Sequence, residues 1–302
     1  MNAAAIHWAL SIALAPLVVG AIQWTRARLQ GRCGASPLQP YRDLWKLVRK
    51  GPVWPETASL VFGLAPYLLF VIYALLAALI ASVSVSTDGG GGDLITLIFL
   101  LALTRFSVGL AALDAGTPFA ALGGSRTMFM HLLAEPTLVV LASAYALQTH
   151  SLQLILAGEG SFLHAISRLL IGAGLLGAIL VETGRLPFDN SETKLELTMI
   201  ESAVALDYGG LELAVWEWAT AIRLTAFFAL CVAAIQPANL TSGLNWPALL
   251  SRLVLYLLLI VGLAVWEATR PRYRLRALVA PAVVPFILAL SAILFDFMSR
   301  NF

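Results

Sequence analysis

Long apolar runs separated by shorter polar stretches dominate the chain. Eight of these runs reach about twenty residues, which is the length that an α-helix needs to cross a bilayer. They lie at about 4–24, 60–83, 94–113, 127–147, 162–181, 213–235, 248–266 and 278–297. The pattern predicts an all-α polytopic membrane protein with about eight transmembrane helices, which form a single integral membrane domain over residues 1–302.

The basic residues that lie between these runs fall in alternate connections. The connections after the first, third, fifth and seventh runs carry Lys or Arg, and the other three carry neither. The positive-inside rule then predicts that residues about 25–58, 114–126, 182–212 and 267–277 are cytoplasmic and that both termini face outside. Only 12% of the residues are charged, against about 25% in soluble domains, which excludes a soluble protein.

The first basic connection contains an amphipathic pattern. Apolar residues recur there at helical spacing, at Leu38, Tyr41, Leu44, Trp45 and Val48. Arg42 and Lys46 fall mostly on the other side of such a helix. Two interpretations stay open: a helix that lies in the membrane surface, or basic charge that only sets the topology.

The connection after the fifth run, together with the start of the sixth, is unusually acidic. Residues 182–217 hold eight of the seventeen acidic residues: Glu182, Asp189, Glu192, Glu196, Glu201, Asp207, Glu212 and Glu217. Apolar residues are interleaved with them, so much of the segment should be buried, and burial shifts the pKa of a carboxylate. We therefore predict a proton relay or a docking surface here, with a solvated loop as the alternative.

Spacing predicts specific pairs inside this segment. Glu182 and Arg185 are three residues apart, which favours an ion pair if the helix continues, although Pro187 should end or kink it. Glu192 and Glu196 are one helical turn apart, and their repulsion should raise the pKa of at least one of them.

Charged residues within or beside the other apolar runs also suggest roles. Glu135 lies in the fourth run with His131 one turn before it, and a carboxylate inside a membrane span is costly enough to indicate function. Asp114 and Arg126 flank a short connection and could pair with the acidic segment. Three arginines inside runs could form ion pairs within the membrane, namely Arg105, Arg223 and Arg252, whereas Glu217, Glu267 and Asp296 near run ends fit interface residues.

The two cysteines, Cys33 and Cys231, are far apart and belong to no metal-binding motif. Any redox cofactor is therefore expected in another subunit.

The stretch Glu-Thr-Gly-Arg-Leu-Pro-Phe-Asp at 182–189 resembles the Glu-Thr-Asn-Arg-Ala-Pro-Phe-Asp signature of the H subunit (subunit 1) in the membrane arm of respiratory NADH:quinone oxidoreductase, complex I. Residues 196–201, 206–210 and 216–219 look more like the hydrogenase branch of that family, which holds the C subunit of hydrogenase-4 and the membrane subunit of formate hydrogenlyase. Gly184 in place of Asn, and Gly-Ala-Ser-Pro at 34–37 in place of a Gly-Pro-Asn run, also favour the hydrogenase branch.

The resemblance implies a complex I subunit 1-like fold and a non-catalytic connecting subunit in a bacterial or archaeal cytoplasmic (inner) membrane. Peripheral hydrogenase-like large and small subunits would hold the nickel–iron and iron–sulfur centres, and antiporter-like membrane subunits would lie beside the chain. The chain itself would hold no metal and would bind no nucleic acid.

The resemblance and the charge pattern together give two sets of candidate residues. Proton (or Na⁺) relay and coupling are expected for Glu135, Glu182, Arg185, Asp189, Glu192, Glu196, Glu201, Asp207, Asp114 and Arg126. Docking of the peripheral arm is expected for Arg42, Lys46, Arg270, Arg272 and Arg274. Three alternatives stay open: the H subunit of complex I itself with part of a quinone site, a stand-alone secondary transporter, and a scaffold whose acids have no role.

Overall fold

A computed structural model of the protein describes residues 3–83, 92–154, 162–189, 199–236, 246–271, 273 and 277–301. The described residues form α1 (Ala3–Leu29), α2 (Gln39–Val48), α3 (Leu60–Val83), α4 (Leu94–Asp114), α5 (Pro118–Thr149), α6 (Phe162–Glu182), α7 (Glu201–Ala205), α8 (Gly210–Ile235), α9 (Trp246–Thr269) and α10 (Val279–Asn301). Eight of these helices, all except α2 and α7, are long and apolar enough to cross a membrane. The predicted all-α fold with eight spans is confirmed.

Successive long helices run antiparallel, so their connections gather at two opposite ends of the bundle. At one end Leu94 N donates to Leu152 O at 2.9 Å, which joins the start of α4 to the segment after α5. At the other end Thr57 Oγ1 donates to Ala115 O at 2.6 Å, which joins the segment before α3 to the end of α4. We call this second end the charged end, and the connections at 30–59, 115–117, 183–189 and 199–209 lie there.

Helix α8 is the buried centre of the bundle. In the most apolar 18-residue stretch of α8, 78% of the residues are buried. The corresponding share is 17% in α9 and 28% in α1 and α10. Ile222, Phe227 and Phe228 are almost fully buried on this helix. A helix that is apolar on all sides belongs in a core, so a charge placed on α8, such as Arg223, must find its partners inside the protein.

Helix α5 begins at Pro118 and not near residue 127 as predicted, so the expected turn at 114–126 shrinks to 115–117. Thr117 has extended N-cap geometry and accepts a hydrogen bond from Ala120 N at 3.2 Å. Thr followed by Pro is a helix-start signal that acts through the backbone. Hydropathy missed it because Gly123, Gly124 and Arg126 make the first turns of α5 polar.

Helix α2 confirms the amphipathic pattern and lies against α1. Tyr41 Oη donates to Ala13 O at 2.5 Å. Gly20 permits a close approach, since a Cβ there would lie 2.0 Å from Pro37 O. Trp45 is 61% exposed, and the guanidinium of Arg49 lies 4.6 Å from its ring centre. Helix α2 thus presents the aromatic and cationic surface that is typical of a helix at a membrane interface.

Asp114, at the end of α4, caps the first turn of α3. Its carboxylate accepts from Ser59 N at 2.9 Å, from Ser59 Oγ at 2.8 Å and from Phe62 N at 2.9 Å. These contacts join it to the amides at a helix start, which carry partial positive charge. Within the described residues Asp114 is therefore a helix cap, and its expected pairing with the acidic segment stays a prediction.

Replacing Asp114 by Ala should lower the free energy of unfolding by about 1 kcal/mol, as loss of a helix cap usually does. The measurement is the temperature at which the detergent-solubilised protein denatures. Asp43→Ala is the matched control, because among the described residues Asp43 on exposed α2 accepts a hydrogen bond from Gln39 alone. Equal stability of the two variants would contradict the capping role.

Candidate functional site

Ionisable side chains from six helices meet inside the half of the bundle next to the charged end. We call this group the buried cluster; its members are Tyr73 (α3), Arg105 (α4), His131 and Glu135 (α5), Glu182 (α6), Glu201 (α7) and Arg223 (α8). Charges in a membrane span are rare and face the protein interior or one another, which is the arrangement here.

Arg105 joins the acids of α5 and α6. Its Nη1 lies 3.3 Å from Glu135 Oε2, and its Nη2 donates directly to Glu182 Oε1. His131 Nε2 lies 4.0 Å from Glu182 Oε2. The side chain of Glu182 is 3% exposed and that of Glu135 is 46% exposed. Arg105 is therefore the partner of Glu182, and the expected pair with Arg185 is wrong.

Arg223 forms a second centre deeper in the bundle. Its Nη2 donates to Glu201 Oε2 at 2.7 Å, and its Nη1 donates to Tyr73 Oη at 3.3 Å. The expectation that Arg105 and Arg223 form ion pairs within the membrane is confirmed. Because α8 is apolar on all sides, Glu201 is the compensating charge for the guanidinium of Arg223.

A small cavity lies between the two centres, and both Glu182 and Glu201 line it. The other lining residues are Thr127, Met130, His131, Val181, Gly184, Phe188, Asp189 and Ile200. Asp189 Oδ2 accepts from Ile200 N at 2.9 Å, which fixes one wall. The Nδ1 atom of His131 is buried and has no hydrogen-bond partner within the described residues. The space is about that of a single water, and its carboxylates and imidazole stand among apolar lining residues.

The chain turns sharply after Glu182, and Gly184 makes that turn possible. Helix α6 ends at Glu182, and Arg185 N donates back to Leu180 O at 3.0 Å. Gly184 has φ +56°, in the left-handed region that Gly and Asn adopt most readily. Gly184 thus keeps the backbone conformation that Asn would also permit, so this exchange does not distinguish the two branches of the family.

Helix α7 is held against α5 at Gly123. A Cβ on Gly123 would lie 2.7 Å from Ala203 Cβ and 3.1 Å from Ile200 O. Arg126 Nη1 donates to Met199 O at 3.3 Å, just before α7. The side chain of Arg126 therefore contacts the backbone of the acidic segment. Through these contacts α5 positions α7 and, with it, Glu201.

Two arginines hold three acids of the buried cluster. Glu135, Glu182 and Glu201 pair with only two guanidiniums, those of Arg105 and Arg223. Asp189, which is 2% exposed, adds a fourth carboxylate to the cavity wall.

Arg185 lies in a separate ionic group around Glu267 of α9. Glu267 Oε1 is 3.0 Å from Arg185 Nη1, and Glu267 Oε2 is 3.2 Å from Arg26 Nη1 at the end of α1. Glu267 is 3% exposed. Asp296, 2% exposed, lies near His164 of α6. The expectation that these two acids are interface residues is wrong, because helix packing buries them beside basic partners.

The remaining candidates are dispersed. Asp207 accepts from Thr117 Oγ1 at 2.5 Å, at the start of α5 and not in the buried cluster. Its neighbour Tyr208 donates to Phe62 O at 2.9 Å, and burial raises the pKa of this phenol, so it remains a donor. Among the docking candidates, Arg42, Lys46 and Arg270 are exposed. Four candidates lie outside the described residues: Glu192, Glu196, Arg272 and Arg274.

Sequence reasoning missed Tyr73 and the role of Arg105 as the shared partner of two acids. The available signal was an arginine inside an apolar run, which needs a buried anion. Within the described part of the chain, no three His, Cys, Asp or Glu side chains are grouped so that they could hold a metal ion.

Comparisons with known proteins agree with this architecture. The chain is 36% identical to hydrogenase-4 component C of Escherichia coli (strain K12) over 81% of the chain and 78% of that protein. It is 31% identical to formate hydrogenlyase subunit 4 of the same organism over 87% of the chain and 88% of that protein. It is 27% identical to the H subunit of NADH-quinone oxidoreductase from Wolbachia sp. subsp. Brugia malayi (strain TRS), over 85% of the chain and 81% of that protein.

The fold matches a chain of the membrane-bound sulfane sulfur reductase, an archaeal respiratory membrane complex. The TM-score is 0.79 at 18% sequence identity, and the match covers 97% of this chain and 98% of the other. The relatives place the chain among the membrane subunits of oxidoreductase complexes. The family described as NADH dehydrogenase matches residues 1–296, and the chain belongs to that family. The resemblance is confirmed, with higher identities on the hydrogenase-4 and formate hydrogenlyase side.

Proposed function

We propose that this chain is the membrane coupling subunit of a hydrogenase-4 or formate-hydrogenlyase-like redox complex. It catalyses no reaction alone; it anchors a peripheral arm and links electron transfer in that arm to movement of protons (or Na⁺) in the membrane. The observation that carries the proposal is the buried cluster, in which Arg105 and Arg223 hold carboxylates from α5, α6 and α7.

The geometry supports a relay across the bundle. Glu182, Asp189 and Glu201 all line the cavity between the two arginine centres. A single water in this space would let a proton pass between these carboxyls. Arg105 then joins Glu182 to Glu135. A carboxylate that is 46% exposed on a spanning helix requires cover from another membrane protein, which fits an antiporter-like subunit beside α5.

The charged end is the proposed cytoplasmic face, with both termini on the opposite side. Its exposed cations Arg42, Lys46 and Arg270 offer a docking surface for hydrogenase-like large and small subunits that hold the nickel–iron and iron–sulfur centres. A change of charge in the arm would act on the acids next to this face. Coulomb interactions are strong in such weakly polar surroundings, so the protonation of these acids would respond.

Replacing Glu182 by Gln is expected to abolish proton translocation while electron transfer through the complex continues. The amide keeps the shape and the hydrogen bond to Arg105 but cannot take up a proton. The measurement is the pH gradient formed per electron transferred by the purified complex in proteoliposomes. Glu135→Gln should give the same result, because it interrupts the same route at its other end.

Glu56→Gln is the matched control, since Glu56 lies exposed in the connection before α3. It should translocate protons as the unmodified complex does. A Glu182→Gln complex that assembles and still builds the full gradient would falsify the relay.

A further inference from the structure

Glu182 and Arg185 have the spacing of an ion pair, yet each is paired elsewhere. Glu182 is bound to Arg105 of α4, and Arg185 is 3.0 Å from Glu267 of α9. Both residues belong to the same turn of chain, and Gly184 between them lines the cavity together with Glu182. The position of Arg185 is therefore set by a residue that is distant in sequence.

The end of α9 holds the turn after α6 at three successive residues. Glu267 pairs with Arg185, and Trp266 Nε1 donates to Leu186 O at 3.1 Å. Just beyond α9, Tyr273 N donates to Pro187 O at 3.1 Å. The rest of α9 is loosely packed, since only 17% of the residues in its most apolar 18-residue stretch are buried. These polar contacts therefore fix both the inner end of α9 and the direction of the Arg185 side chain.

We propose that Glu267 is a positioning residue that keeps the guanidinium of Arg185 away from the acids of the buried cluster. This inference rests on the proposed relay, since a cation that enters the cluster would matter only if those acids exchange protons. Within the described part of the chain Glu267 has no ion pair or hydrogen bond with the acids of the buried cluster, and it acts through Arg185.

The physical argument concerns the nearest alternative anions. Arg185 is only 16% exposed on its side chain, and an arginine is always charged, so without Glu267 it must find another carboxylate. Glu182 and Asp189 are the nearest acids along the chain, at the two ends of the same turn. A guanidinium that paired with either one would stabilise its ionised form and oppose proton uptake there.

A structure of the assembled complex with Glu267→Gln tests the inference directly. We expect Arg185 to lie within about 4 Å of Glu182 or Asp189, the distance of a salt bridge. An Arg185 that remains beside the substituted side chain of α9, or that points away from the cluster, would overturn the inference. The position of Arg185 in this structure can be judged independently of the relay. It tests the role of Glu267 even if Glu182→Gln complexes prove fully coupled.

The same variants give a functional test in proteoliposomes. Glu267→Gln should lose proton translocation while electron transfer persists, and Glu267→Gln/Arg185→Gln should regain it because no stray cation remains. If the double variant assembles but stays uncoupled, Glu267 acts in another way. If Glu267→Gln alone fails to assemble, the double variant still tests the inference. The double variant has no guanidinium at residue 185 that could be left unpaired.

Arg26→Gln is the matched control. It removes the other partner of Glu267 but leaves the pair with Arg185, so it should translocate protons as the unmodified complex does. Loss of translocation in Arg26→Gln to the extent seen in Glu267→Gln would show that the whole ionic group is needed only for structure, and the positioning role would be rejected.

Discussion

Replacing Arg105 by Met should severely destabilise the protein, by about 3–5 kcal/mol, the usual result of stranding a buried charge. Within the described residues Arg105 forms ion pairs with both Glu135 and Glu182, and the side chain of Glu182 is 3% exposed. Methionine fills much of the volume but supplies no charge and no donor. The carboxylate of Glu182 must then bind a proton or draw water into the bundle, and both alternatives cost free energy.

The measurement is the yield and the denaturation temperature of the detergent-solubilised protein. Arg49→Met serves as the control, because Arg49 directly follows α2 and is exposed, and surface changes usually stay within about 0.5 kcal/mol. The double variant Arg105→Met/Glu182→Gln should recover part of the loss, since it removes both members of the pair. If Arg105→Met proves as stable as Arg49→Met, Arg105 does not compensate the buried acid.

The spans were predictable because their signal is local. A run of about twenty apolar residues can only be satisfied by a helix in the membrane, whatever its neighbours are. The basic residues in alternate connections further predicted that successive spans cross the membrane in opposite directions. The start of α5 shows the limit of this approach, since the backbone signal at Thr117 and Pro118 lies in a stretch too polar for hydropathy to include.

Residue types in the site were predictable, but their partners were not. An acid such as Glu135 inside a span signals function by its cost alone. Its partner Arg105 is far earlier in the chain and comes from the neighbouring helix α4. Local spacing favoured Glu182 with Arg185, yet helix packing offered each of them a buried partner from another helix, Arg105 and Glu267. Helix packing decides which of two possible partners a charged residue takes. The sequence of one segment does not show how the helices pack.

The same dependence on packing predicts a large effect at a residue with no charge, Gly123. A Cβ at this position would lie 2.7 Å from Ala203 Cβ and 3.1 Å from Val204 N. One of these atoms is backbone, so Gly123→Ala must displace α7 from α5, at a cost of about 1–3 kcal/mol for overpacking. Movement of α7 would lengthen the 2.7 Å contact between Glu201 and Arg223.

Gly123→Ala should therefore lower both the denaturation temperature and the pH gradient formed per electron. Gly262→Ala in α9 is the matched control: nothing lies within 4 Å of a Cβ built there, and alanine favours a helix over glycine by about 1 kcal/mol. The control should be unchanged or slightly more stable. Adding Ala203→Gly should restore only part of the loss, because the backbone contact at Val204 remains. A Gly123→Ala protein as stable and as coupled as Gly262→Ala would mean that α5 does not position Glu201.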